Sequence, residues 1–347
     1  MQANFKPKLI ASLIALAISA PASVSALAAD QELNLYSARH YKTDDALYKN
    51  FTDTTGIKIN RIEGKETELM ERLKREGAAS PADVFITVDA ANLQAADAAG
   101  LFAPVTSKLL DERIPSQFRA QDNAWFGFAY RARVITYDKN KVKPEQIANY
   151  LDLAKPEFKG KVCVRSGSHP YNLTLTASII NHHGEAKALQ WAEGIVANLA
   201  RAPKGGDTDQ MRAIAAGECE VALTNHYYYA RLASSDKPED KSVIEKVGIL
   251  FPDQKTQGTH VNISGGGMLK HAPHKEAAVK FMEYLASDSA QAYFANGNNE
   301  WPVVASVKID NPQLDALGSF KIDPLNASAL AKEIPLAQRL IDKAGWK

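Results

Sequence analysis

The chain has 347 residues, with 41 Lys+Arg against 40 Asp+Glu, and is 45% hydrophobic and 23% charged. That composition excludes a disordered tail, a collagen-like fibre and a disulfide-dense miniprotein, and the near-zero net charge argues against a general nucleic-acid binder. The length suffices for about two domains, each burying its own core.

The first residues form a class of their own. Lys6 and Lys8 precede an apolar run over 9–20, followed by Pro21 and the small-x-small triplet Ala26-Leu27-Ala28. This order reads as a cleaved signal peptide over residues 1–28. The apolar run is shorter than the about 20 residues that a membrane span requires. Removal takes two lysines from a formal net charge of +1, leaving −1. The mature protein is therefore expected to be exported and soluble. Export bears on the two cysteines, Cys163 and Cys219, each in a short apolar run. An oxidising compartment favours a disulfide between them over two buried thiols.

The mature chain alternates strand-like and helix-like runs. Strands are predicted at 33–36, 57–62 and 84–88, with helices at 44–54, 66–76 and 90–99 closed by Gly56, Gly77 and Gly100. This order implies a parallel sheet flanked by helices. The aromatic stretch 125–137 is β-rich and lies where a first lobe should end. A second set follows: strands at 162–164, 221–224 and 247–251, and helices at 173–182, 186–199, 208–216 and 228–233. A strand over 259–269 and helices at 274–285, 290–295 and 327–344 complete the chain. Two α/β lobes joined by strands place the natural ligand site in the cleft between them.

Three strand ends carry the chemistry. Asn225-His226-Tyr227-Tyr228-Tyr229-Ala230-Arg231 follows the strand at 221–224 and holds three of the chain's 12 tyrosines in succession. Adjacent residues on a starting helix point about 100° apart, so two rings can converge while the third turns away. Arg231 falls one turn after Tyr227 on the same face, where its charge favours phenolate over phenol. Ser37-Ala38-Arg39-His40-Tyr41 follows the first strand, and Arg165-Ser166-Gly167-Ser168-His169-Pro170-Tyr171-Asn172 follows the strand at 162–164. Strand carboxyl ends are where open α/β sheets bind ligands. Phenolate is a hard anionic oxygen donor. With a phenol pKa of about 10, only a highly charged cation displaces the proton well near neutral pH. Ferric iron meets that condition, whereas calcium and magnesium prefer carboxylates and carbonyls.

These three segments give the mature chain a resemblance to the periplasmic ferric-iron-binding proteins of ABC transporters, the FbpA/FutA family. The markers are Arg39-His40-Tyr41, the tract at 161–172 and the tandem tyrosines at 225–231. The resemblance implies a two-lobed type II periplasmic binding protein, each lobe a mixed sheet flanked by helices, joined by hinge strands. It implies an N-terminal lobe of 29–129 with 260–308 and a C-terminal lobe of 130–259 with 309–347. The family pattern N-x-Tyr-Tyr-x-[Gly/Ala]-Arg puts tandem ligands at Tyr227 and Tyr228 and leaves Tyr229 variable. Tyr171 matches the additional ligand of the FutA-like members, which need no synergistic anion. His40 and Tyr41 match the first-lobe ligands, with water as the alternative to His40. Arg231 and then Arg131 are the expected partners of the phenolates.

The implied function is transport rather than catalysis: a monomer binds Fe3+ in the periplasm and delivers it to an inner-membrane permease. Ferrous iron stays open as a second cargo. A different class of ligand, a polyamine or sugar in an aromatic box, would call for acidic residues in the cleft. Tyr36, Tyr130, Tyr137 and Tyr229 are assigned to packing, and His182-His183 to a helix C-terminal cap. Ser264-Gly265-Gly266-Gly267 lacks the Lys-Ser/Thr of a phosphate loop and is assigned to close backbone approach between the lobes.

Overall fold

The computed structural model describes residues 1–2, 32–39 and 41–347. The signal peptide expected over 1–28 lies outside the described residues except for its first two positions, and His40 lies outside them as well. In chain order the elements are β1 (Glu32–Ser37), α1 (Asp44–Thr55), β2 (Lys58–Glu63), α2 (Glu66–Glu76), β3 (Val84–Thr87), α3 (Ala90–Ala98), α4 (Lys108–Arg113) and β4 (Phe126–Asp138). There follow β5 (Val162–Cys163), α5 (Pro170–His183), α6 (Glu185–Ala197), α7 (Asp207–Ala215), β6 (Val221–Asn225), α8 (His226–Ala233), α9 (Pro238–Lys246) and β7 (Val247–Leu250). The chain ends with β8 (Val261–Met268), α10 (Lys275–Leu285), α11 (Asp288–Asn298), β9 (Trp301–Pro302), α12 (Pro312–Asp315) and α13 (Ala327–Ala344). Among the described residues, no helix is long and apolar enough to cross a membrane.

The first β-α-β-α units give a parallel group, as their order implies: β2, β1 and β3 lie side by side with β1 central. The sheet then turns mixed, because β8 pairs antiparallel with both β3 and β4. The order continues through β6 to β5, and β7 and β9 also pair with β4. Strand β4 is the common element. Its residues from Phe126 to Ala132 pair with β8, and those from Arg133 to Tyr137 pair with β6. The apolar core divides along this strand. Val134 packs with a cluster that includes Leu35, Phe85, Phe281 and Phe294, whereas Ile135 packs with Leu175, Trp191, Leu223 and Ile341.

Local chemistry explains the ends of the early elements. Helix α1 stops at Gly56, which takes the left-handed conformation at φ 74° and donates its N–H to the Thr52 carbonyl. Helix α5 starts earlier than the predicted 173. Pro170 occupies its first turn and His169 caps it, the imidazole accepting from the Tyr171 N–H. Tyr171 is therefore on a helix start rather than in a loop. Cys163 and Cys219 are joined by a disulfide. They lie in a third small apolar cluster with Met211, Ile214 and Leu232. In the chain-entropy picture, closing a loop of this size stabilises by about 4 kcal/mol.

The glycine run serves a different purpose from the one expected. A Cβ on Gly265 would lie 2.3 Å from the Phe126 carbonyl oxygen, and one on Gly266 would lie 2.7 Å from that of Phe85. Both neighbours belong to strands flanking β8 and to the same apolar cluster. The close approach is thus between neighbouring strands that share one apolar cluster. His182 is likewise no simple cap, because its Nε2 lies 2.8 Å from Asp323 Oδ2.

Candidate metal centre

Each tyrosine singled out by the sequence is carried by a strand-to-helix junction. Tyr41 lies between β1 and α1, Tyr171 is the second residue of α5, and Tyr227 and Tyr228 are the second and third residues of α8. The Tyr171 and Tyr227 hydroxyl oxygens are 3.1 Å apart. The Tyr227 and Tyr228 rings lie 4.1 Å apart between centroids. Tyr229 turns away, as a 100° step requires, and its hydroxyl donates to the Val247 carbonyl. Tyr227 is buried, and Tyr41 and Tyr228 are half-buried.

The four phenols act on one another. Burial raises the Tyr41 pKa, and the charges of Glu300 and Tyr228 add to that rise. Burial raises Tyr171 too, against the lowering pull of Arg131, with Tyr228 and Tyr41 opposing ionisation. Tyr227 is pushed well up by burial and then by Tyr41, Tyr171 and Tyr228. Such a group stays protonated near neutral pH unless a strong positive charge arrives among its oxygens. Among the described residues no group of three or more His, Cys, Asp or Glu is placed to hold a metal ion. The phenols are thus the concentrated donor set here.

Arginines surround the rings. Arg39 lies 5.0 Å from the Tyr41 ring centre, Arg165 5.2 Å and Arg131 5.9 Å from that of Tyr171, and Arg231 5.7 and 5.5 Å from those of Tyr227 and Tyr228. Arg131, one of the two expected partners, is buried, and donates to Ser264 Oγ, Glu300 and the Val88 and Ile263 carbonyls. Arg231, the other, is exposed on α8. Two buried carboxylates each hold two guanidiniums, and Asp44 also holds Arg39 at 2.7 Å. Glu300 accepts from Arg39 at 3.2 Å and from Arg131 at 3.1 Å. Asp207 accepts from Arg133 at 2.8 Å and from Arg165 at 3.1 Å. Each carboxylate is therefore already engaged by two cations. That leaves neither free to receive a polyamine, which weakens the aromatic-box alternative.

Several of these residues escape a sequence reading. Arg131 and Arg133 stand two apart in the mostly apolar β4, a same-face pair of charges that signals a buried polar network. Glu300 and Asp207 carry no such signal, since each sits at the edge of an element among ordinary polar neighbours.

Residues 46–320 match the family described as bacterial extracellular solute-binding protein. Iron uptake protein A2 of Synechocystis is 51% identical over 324 residues, covering 93% of this chain and 92% of its own length. The Trichodesmium FutA structure in complex with iron and citrate ligands is similar at a TM-score of 0.88 and 53% identity, over 91% of this chain and all of that one. The ferric binding protein of Campylobacter jejuni follows at a TM-score of 0.85 and 44% identity, over 91% of this chain and all of that one. The fold is that of the type II periplasmic binding proteins, in agreement with the sequence. With its family matched over most of its length and relatives of FutA and FbpA type beside it, the chain is a member of the bacterial extracellular solute-binding proteins.

Proposed function

We propose that this protein captures ferric iron in the periplasm, between its two lobes, and passes it to an inner-membrane ABC permease. The ligands are Tyr41, Tyr171, Tyr227 and Tyr228, with His40 or a water completing the set, and Arg131 and Arg231 supporting the phenolates. The carrying observation is the mutual approach of four phenols drawn from three separate junctions, with Tyr171 and Tyr227 oxygens at hydrogen-bond distance. Relatives whose names record iron uptake and ferric binding support the same cargo. The lobes are taken as 29–129 with 260–308 and 130–259 with 309–347. The change of core between Val134 and Ile135 supports a crossing within β4. The leader over 1–28 is taken to be removed on export, and the mature protein to act as a monomer without covalent chemistry.

Binding exchanges phenol protons for the ion. Burial keeps Tyr41, Tyr171 and Tyr227 protonated, so a trivalent cation has an advantage over a divalent one, which repays less of the cost of ionising them. Four phenolates on Fe3+ leave a residual −1, which the neighbouring guanidiniums offset. Protonation, or reduction to Fe2+, weakens the grip and favours release.

The test is Tyr228→Phe, which removes one donor oxygen and little else. Iron-loaded wild type should show a visible phenolate-to-iron charge-transfer band. The variant should show a weaker and shifted band, three phenolates remaining, and bind iron at least about 100-fold more weakly, as expected for a lost anionic ligand. Full colour and affinity in the variant would rule Tyr228 out as a ligand.

A further inference from the structure

The geometry points to Asn299-Glu300-Trp301 as a positioning element that fixes the phenol-bearing segments on both sides of the cleft; this rests on the reading that those phenols hold ferric iron. None of the three is placed as a ligand, and each acts through a neighbour of one.

Glu300 governs the arginines. Its carboxylate is fully buried. One oxygen accepts from Arg39 and the other from Arg131 and from Ser264 Oγ at 3.0 Å. Arg39 lies against Tyr41 and Arg131 against Tyr171. Glu300 therefore links two guanidiniums, Arg39, which Asp44 also holds at 2.7 Å, beside a phenol that follows β1, and Arg131 beside a phenol of α5. A buried ion network of this kind allows little rotamer freedom, since any member that swings away leaves an unpaired charge.

Asn299 and Trp301 govern the tandem tyrosines. Asn299 adopts the left-handed conformation at φ 57°, closing α11. Its carbonyl accepts from His226 Nε2 at 2.7 Å, while His226 Nδ1 accepts from the Ala132 N–H of β4. Both ring nitrogens are thus committed, which sets the tautomer and the ring plane. Trp301 stacks on the same ring at 3.8 Å between centroids. It is also in register with Tyr130 of β4, against which its ring stacks. His226 is the first residue of α8, immediately before Tyr227. The imidazole is held by hydrogen bonds and by a stacked face, so the start of α8 and the rings that follow it have one direction. Three consecutive residues thus reach both sets of phenols through their neighbours.

The experiment loads the full mature protein with iron from ferric nitrilotriacetate. It then records the charge-transfer band and the rate of iron loss to EDTA. Glu300→Gln preserves size but takes the carboxylate partner from Arg131, while Arg39 keeps Asp44 at 2.7 Å. The unbalanced guanidinium lowers the energy of the donor electrons, so the band should move to shorter wavelength, and its freedom to swing away from Tyr171 should quicken iron loss about tenfold. Trp301→Ala should quicken iron loss similarly, and Trp301→Phe, which restores a stacking face, should recover most of the wild-type rate. A merely structural role would lower the melting temperature of the iron-free variants and leave the band where it is. If circular dichroism shows Glu300→Gln unfolded, Ser264→Ala takes its place. It removes only the hydroxyl between Arg131 and Glu300 and should shift the band in the same direction by less. Folded variants with unmoved bands and wild-type release rates would overturn the positioning role. A wild type that takes no iron and shows no colour would instead overturn the functional reading, and this inference with it.

Discussion

Asp253 shows how one side chain can carry a cost that the rest of the protein absorbs. It sits in the left-handed region at φ 64°, and burial pushes its carboxyl up to about 6, with Asp152 and Asp323 adding to the rise. The folded state then holds a proton that the unfolded state releases, so stability declines as pH climbs from about 4 to 6. Asp253→Asn keeps a residue suited to that backbone conformation and removes the charge. Thermal unfolding should show the variant more stable by about 1 kcal/mol at pH 7.5, with the gain vanishing below pH 4. At this scale the sequence exposes the tandem tyrosines plainly, because three in succession after an apolar strand is a rare pattern with a chemical meaning. It hides Glu300 and Asp207, because a carboxylate reveals its role only through the arginines that the fold brings to it from 261 and 74 residues away.

Elements were legible wherever period and punctuation agreed. Helices α2 and α13 begin and end at the predicted residues, the first with Gly77 at its end and the second with Gly345. The start of α5 was missed because an apolar period begins only after Tyr171, whereas the helix is set by Pro170 and the His169 cap. Strand β8 was recognised as a strand, yet the reason for its glycines was not, since tight spacing between β3, β8 and β4 is a property of pairing rather than of any one segment. Gly265→Ala tests that spacing. With its new methyl 2.3 Å from the Phe126 carbonyl oxygen, the variant should unfold at lower denaturant, by about 3 kcal/mol or more. Urea titration of the iron-free protein measures it. A loss under about 0.5 kcal/mol, typical of a surface change, would show that the strands can part without penalty.

For the whole molecule, the proposed function links ligand and stability, because a cation held by segments distant in sequence would bind the folded chain alone. Free ferric iron at about 1,000 times its dissociation constant should stabilise by about 4 kcal/mol. Differential scanning fluorimetry should report this as a rise in melting temperature that disappears when a chelator is added. An unchanged transition would mean that the ion does not bind the folded chain in preference to the unfolded one. Two α/β halves were readable from the alternation of strands and helices alone, but their meeting place was not, since the change of core falls inside one unbroken run of thirteen residues. That continuity has a mechanical corollary. Phe126–Asp138 contains no proline and belongs to both pairings, so if the proposed capture rotates one half against the other, this connection must take up the motion as bending and twisting of a hydrogen-bonded ribbon. Along it the halves would be sprung rather than tethered, with opening set by the stiffness of a strand instead of the slack of a loop.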